Sequence, residues 1–89
     1  MNLKAECLIS IHGVIERGLF YNYMQSMGYR DAIYTRKEII ESSFPFAVSL
    51  KKKRFFILTN PTVCFLLQQK GKFRTEEEIK EILNKRKKV

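Results

Sequence analysis

Four consecutive cations run directly into two aromatics at Lys51-Lys52-Lys53-Arg54-Phe55-Phe56. Cations neutralise phosphates and release counterions, which yields affinity independent of base sequence. Aromatic rings offer flat faces on which unstacked bases rest, worth ~1–3 kcal/mol per base. The combination on one short segment is the chemistry of a surface for single-stranded nucleic acid. Side chains alternate along a strand, so one of Phe55 and Phe56 is expected to point inward and the other outward. A purely structural reading of the same residues stands beside this one. Three lysines at a hairpin tip discourage edge-to-edge aggregation, and a phenylalanine behind them can serve the core.

Two further groups repeat the pattern. Lys70-Gly71-Lys72-Phe73-Arg74 sets cations around an aromatic, with Phe73 read first as a core anchor between two helices. Tyr29-Arg30 falls in a turn, where exposure is usual, which makes Tyr29 the second choice of stacking platform. Helical spacing sends Tyr23 to the core and Tyr21 outward. The run Lys85-Arg86-Lys87-Lys88 opens a basic tail over residues 85–89, a weak signal by itself. The nucleic-acid-binding candidates are therefore Lys51, Lys52, Lys53, Arg54, Phe55, Phe56, Lys70, Lys72, Arg74, Tyr29 and Arg30.

Catalytic chemistry finds little to work with. The sole histidine, His12, stands between Ile11 and Gly13 with no nucleophile motif around it. One histidine and two cysteines at unrelated positions match no zinc spacing, and four scattered glycines form no phosphate loop. A non-enzyme without metal or cofactor is expected. Cys7 and Cys64 sit among apolar neighbours and read as small hydrophobes in a reducing compartment.

The charge is segregated. From Ser42 to Thr75 the chain carries seven cations and no acid, while all nine Asp and Glu lie outside that stretch. With a formal net charge of +8, that arrangement projects a positive field from part of the surface and attracts a polyanion. Eighty-nine residues allow one domain, and 45% hydrophobic residues including eleven aromatics are enough for a modest core. The opening Met-Asn-Leu-Lys-Ala-Glu does not read as a signal peptide, and no apolar run reaches the ~20 residues of a membrane span. A cytoplasmic protein with no membrane partner is expected.

These residues need a frame to hold them. Lys4–Ile11 fits either a strand or the first turns of a helix. A helix over Val14–Met27 follows, with Ile15, Leu19, Tyr23 and Met27 at steps of four, Phe20 and Met24 beside them, and Gly28 as terminator. Ile33-Tyr34 reads as a short bridging strand. Thr35 and Glu38 have capping-box spacing for a short helix Arg36–Ser42 with Ile39 and Ile40 inward, ended by Phe44-Pro45. Phe46–Thr59 reads as a hairpin with a longer loop, since it lacks Gly or Asn-Gly. Asn60-Pro61 starts an apolar helix to Lys70 that reads as core, closed by Gly71. Thr75 and Glu78 cap a terminal helix Glu76–Lys85, docked through Ile79, Ile82 and Leu83, with acids at its start and cations at its end. The fold class is α+β, a small winged-helix-like domain with three to four helices packed on a β-hairpin.

In its size, its Lys/Ile/Phe-rich composition and its short helices around a hairpin bearing Lys51-Lys52-Lys53-Arg54-Phe55-Phe56, the chain resembles a small protein family of staphylococcal cassette chromosome mobile elements. The resemblance implies a single-stranded DNA-binding protein on a winged-helix-like framework, acting in mobile-element DNA replication or transfer, with DNA favoured over RNA. It implies no site residues, and those named above rest on their chemistry. The chain departs from an ordinary winged helix in having no recognition helix directly before the hairpin. Two other classes compete. A duplex-binding winged-helix regulator would need a polar helix for base edges, and only Arg36–Ser42 carries cations. A protein-interaction accessory or inhibitor would need a contiguous apolar patch, for which Phe44, Phe46 and Leu66-Leu67 are candidates. Self-association or contact with a replication protein is compatible with either binding class.

Overall fold

In the centre of the molecule, Phe46, Val48, Phe55 and Ile57 share one sheet face and are buried together. They belong to strands β2 (Phe46–Ser49) and β3 (Arg54–Ile57), which form the expected antiparallel hairpin around a four-residue loop, 50–53. Lys53 adopts a left-handed conformation there (φ 54°), which lets the loop close without glycine. The structure is a computed structural model; it describes residues 6–31 and 33–87, with side chains through Lys85. Among the described residues it is an α+β fold of four helices and a three-stranded antiparallel sheet.

The third strand settles the ambiguous N-terminal segment. Cys7–Ile9 is β1, paired with β2 in the register Cys7↔Val48, Leu8↔Ala47 and Ile9↔Phe46. Its continuous apolar run fits a strand covered on both faces rather than an alternating one. Single bridges close both sheet edges. Leu8 pairs with Phe73 beyond β1, and Arg30 pairs with Arg54 beyond β3. The expected bridging strand at Ile33-Tyr34 is absent, and Arg30 takes that place. The reason is local: the Asp31 carboxylate accepts from the amides of Ile33 and Tyr34 at 3.3 Å, folding those residues into a turn.

Helix α1 (Val14–Ser26) packs on the hydrophobic face of the sheet, but not through the expected stripe. Ile15 and Leu19 are 74% and 65% exposed; Arg17, Phe20, Tyr21 and Met24 are buried. Tyr21 therefore lies inside, edge-on to Phe55 at 5.3 Å, and Tyr23 is only half-buried. Arg17 rotates the helix. Its guanidinium donates to the carbonyls of Ile11 (3.1 Å), Phe44 (2.9 Å) and Ile39 (2.6 and 2.9 Å) and lies 4.2 Å over the Phe46 ring. Ile39 belongs to α2 (Arg36–Glu41), which α1 contacts, and its carbonyl is among those left open at the helix end. A cation answered by carbonyls and an aromatic face, rather than by a carboxylate, thus joins α1, α2 and two loops. Gly28, at φ 85°, ends α1 as expected, and its neighbour Tyr29 donates its amide back to the Met24 carbonyl.

Helix α3 (Pro61–Gln69) lies on the other face of the sheet, where Leu8, Ala47 and Leu58 are joined by Phe56, Cys64, Leu67 and Phe73. Asn60 caps it, its side-chain Oδ1 accepting from the amides of Thr62 and Val63. Gly71, at φ 69°, closes it. Helix α4 (Glu76–Lys87) returns to the first face and docks through Ile79 and Leu83, with Ile82 half-buried. Two residues of the expected basic tail, Lys88 and Val89, lie outside the described residues, as do Lys4 and Ala5 of the first segment. Cys7 and Cys64 are free, and burial raises the Cys7 thiol above its ordinary pKa.

Both capping boxes form. Thr35 and Thr75 donate their amides to Glu38 and Glu78 (2.9 Å each), and receive from the glutamate amides at 3.2 and 3.1 Å. Those bonds hold both carboxyls below the ordinary glutamate value of 4.5, the amide of the capping threonine contributing most. A depressed acid stabilises the fold fully above its unfolded value and loses that contribution as pH falls through the folded one. Stability should therefore fall more steeply below about pH 4.5 in the parent than in a Glu38→Gln, Glu78→Gln variant. The amides of that variant still reach back but do not titrate. Chemical denaturation followed by circular dichroism across pH 3–6 reads the difference; parallel curves would exclude the carboxylates as its source.

Candidate nucleic-acid interface

The hairpin end of the sheet gathers the largest set of expected residues. Lys51, Lys52, Lys53 and Arg54 are all exposed. The loop is ordered from below: the Lys51 amide donates to Glu6 Oε1 at 3.1 Å and the Lys52 amide to Ser49 Oγ at 3.4 Å. Arg30 is drawn in by the bridge to β3, its amide donating to the Lys53 carbonyl and its carbonyl accepting from Phe55. Sequence neighbours and one distant arginine thus share a patch. Among the described residues, the side chains of Arg30, Lys51, Lys53 and Arg54 form no ion pair with a carboxylate within 4 Å. Two acids adjoin the patch: Glu6, whose carboxylate accepts from the Lys51 amide, and Asp31. Burial raises the Asp31 carboxyl above the ordinary value, against the lowering pull of its two amide bonds and of Arg54.

Alternation decides between the two phenylalanines. Phe55 is fully buried, tilted against Phe46 and edge-on to Tyr21, and is withdrawn as a contact residue. Phe56 is half-buried on the opposite face, which it shares with Arg54 two residues away, about 7 Å along the strand. Tyr29 is also withdrawn. It is 5% exposed and part of the core, because the bridge that brings Arg30 to the sheet edge pulls the preceding ring beneath it. A turn position predicted exposure; the backbone pairing of its neighbour overrode it.

Lys70, Lys72 and Arg74 form a separate group. The segment around Phe73 runs beside β1, with the Leu8 amide donating to the Lys72 carbonyl and the Arg74 amide to the Leu8 carbonyl. That places these cations at the opposite sheet edge from Arg30, four strand spacings or about 19 Å away. Lys70 is exposed; Lys72 and Arg74 are half-buried, and the Arg74 guanidinium donates to the carbonyls of Gly71 and Phe73 at 2.8 Å.

One group was anticipated from the sequence only at Leu66-Leu67. Helix α3, expected to be core, has no buried residue, and Val63, Phe65 and Leu66 are 40%, 56% and 50% exposed. Only Cys64 and Leu67 turn toward the sheet. The five apolar residues Val63–Leu67 exceed the single stripe that a surface helix buries, and that excess was the available signal. The expected patch at Phe44 and Phe46 does not form, since Phe46 is fully buried.

His12 is exposed at the rim of a cleft of about 190 Å³ with Arg17, Glu41 and Ser42. Among the described residues, no cluster of three His, Cys, Asp or Glu could hold a metal, and no helix is long and apolar enough to cross a membrane. No family model, curated protein or solved structure matches the chain.

Proposed function

We propose that the protein binds single-stranded nucleic acid, DNA in preference to RNA, without catalysing a reaction. The observation that supports this reading is the exposed set Arg30, Lys51, Lys53 and Arg54 beside the half-buried ring of Phe56. Phosphates would contact the loop and edge cations while a base rests against Phe56. On this reading the β2–β3 hairpin acts as the wing of a winged-helix-like frame. A role in replication or transfer of mobile-element DNA follows the resemblance in composition and hairpin sequence. The duplex reading is weaker: α2, the short helix with cations, has six residues, places Ile39 and Ile40 in the core, and holds Arg36 over the Tyr21 ring at 5.6 Å.

Labelled single strands and duplexes of equal length, titrated with the protein and followed by fluorescence anisotropy, test the proposal. The single strand should bind about tenfold tighter or more, the worth of one base stack. Equal or tighter binding of duplex would reject it. An RNA strand of the same sequence, expected to bind more weakly, tests the preference for DNA.

A further inference from the structure

We propose that the outward face of α3 is a second base-binding surface, with Phe65 as its stacking platform and Lys70 as its phosphate contact. The inference rests on the single-strand reading and extends it from the hairpin across the sheet. Helix α3 carries no charged residue over Pro61–Gln69, yet its largest side chain, Phe65, is more than half exposed. Exposed apolar faces bordered by polar residues mark interaction sites.

Its surroundings indicate which ligand. Cys64 and Leu67 pack in the same cluster as Phe56, and Phe56 shares its sheet face with Arg54. The apolar helix therefore adjoins the hairpin patch. At its far end stands Lys70, the helix cap. Cations on both sides of an uncharged aromatic surface match a ligand that is anionic along its backbone and flat and apolar in its bases. A second copy of this chain docked on this face would bring cations of like charge toward one another, which disfavours it. The helix is also held firmly enough to present a ring. Asn60 caps its start, and the Lys72 amide donates to the Leu67 carbonyl at 3.1 Å.

The chain has no tryptophan, so Phe65→Trp installs a single fluorescent reporter at the site. Titration with a single-stranded oligothymidylate should quench that tryptophan in step with the anisotropy of the labelled strand. Heparin, which has charge but no bases, should leave the emission nearly unchanged. Phe65→Ala should melt like the parent, since the ring is exposed, and lose affinity by ~5- to 100-fold with the salt dependence unaltered. A stacked base releases no counterions, whereas a lost phosphate contact lowers the salt slope. Phe65→Tyr should restore the affinity. Strand binding without a tryptophan response would overturn this inference and leave the hairpin reading intact. A concentration-dependent emission shift without oligonucleotide would assign the face to a second copy. A shift with anionic phospholipid vesicles would assign it to a membrane. Failure of every oligonucleotide to bind would remove both this inference and the function on which it rests.

Discussion

Replacing Arg17 by methionine should lower the stability of the fold by about 4 kcal/mol, and replacement by lysine should cost nearly as much. Methionine keeps the apolar stem but leaves the Ile39 carbonyl buried without a donor, and those of Ile11 and Phe44 without their guanidinium. Each stranded buried group costs ~1–3 kcal/mol. Lysine has one nitrogen and cannot bridge three carbonyls that a planar fork reaches together. A domain of this size has ~5–15 kcal/mol in total, so the melting temperature should drop by about 20 °C. Burial already lowers the Arg17 pKa, so the fold tolerates this cation because the carbonyls and the Phe46 ring solvate it. Thermal denaturation of the two variants is the measurement. A loss under about 1 kcal/mol for methionine would show that the carbonyls find other donors and that Arg17 is dispensable.

Binding should depend steeply on salt, and three hairpin cations should carry a large share of that dependence. The four hairpin-side phosphate contacts contribute about −2.8 to the log–log slope on a single strand, enough by themselves to cut affinity ~50-fold between about 50 and 200 mM salt. In a Lys51→Gln, Lys53→Asn, Arg54→Gln variant the slope should shrink by about 2 and the affinity near 0.1 M salt by on the order of 100-fold. Asparagine is chosen at position 53 because the residue there is left-handed, which asparagine tolerates. All three side chains are exposed, so the variant should melt like the parent. Anisotropy titrations at four salt concentrations measure both quantities. An unchanged slope would move the phosphate contacts away from the hairpin, leaving Lys70, Lys72 and Arg74 as the remaining candidates.

Much of the local structure was legible in the chain because its determinants are short-range. Thr35 and Glu38, Thr75 and Glu78, and Asn60-Pro61 cap helices through contacts within three residues, so their spacing alone announces them. Gly28 and Gly71 end helices because left-handed backbone favours glycine wherever it occurs. The hairpin and its longer loop followed from alternation and from the lack of Asn-Gly. The cationic loop was equally visible, since four successive charges at a strand break have nowhere to go but solvent.

What lay beyond sequence reasoning depended on partners distant in the chain. Ile15 and Leu19 have a helical period that competes with Phe20, Tyr21 and Met24. Only the carbonyls of Ile39 and Phe44, more than twenty residues away, make Arg17 the inward residue and turn the other pair to solvent. Tyr29 is buried because Arg30 pairs with a strand edge, a fact of sheet topology. Helix α3 is apolar enough to be core, yet the far face of a three-stranded sheet is too narrow to cover more than Cys64 and Leu67. Composition and local spacing therefore determined the helices, their caps, the hairpin and the basic loop, while the strand at Cys7–Ile9 was settled only by its pairing with β2. The tertiary structure alone decided which faces are wet, because burial is a property of what packs opposite a residue rather than of the residue itself.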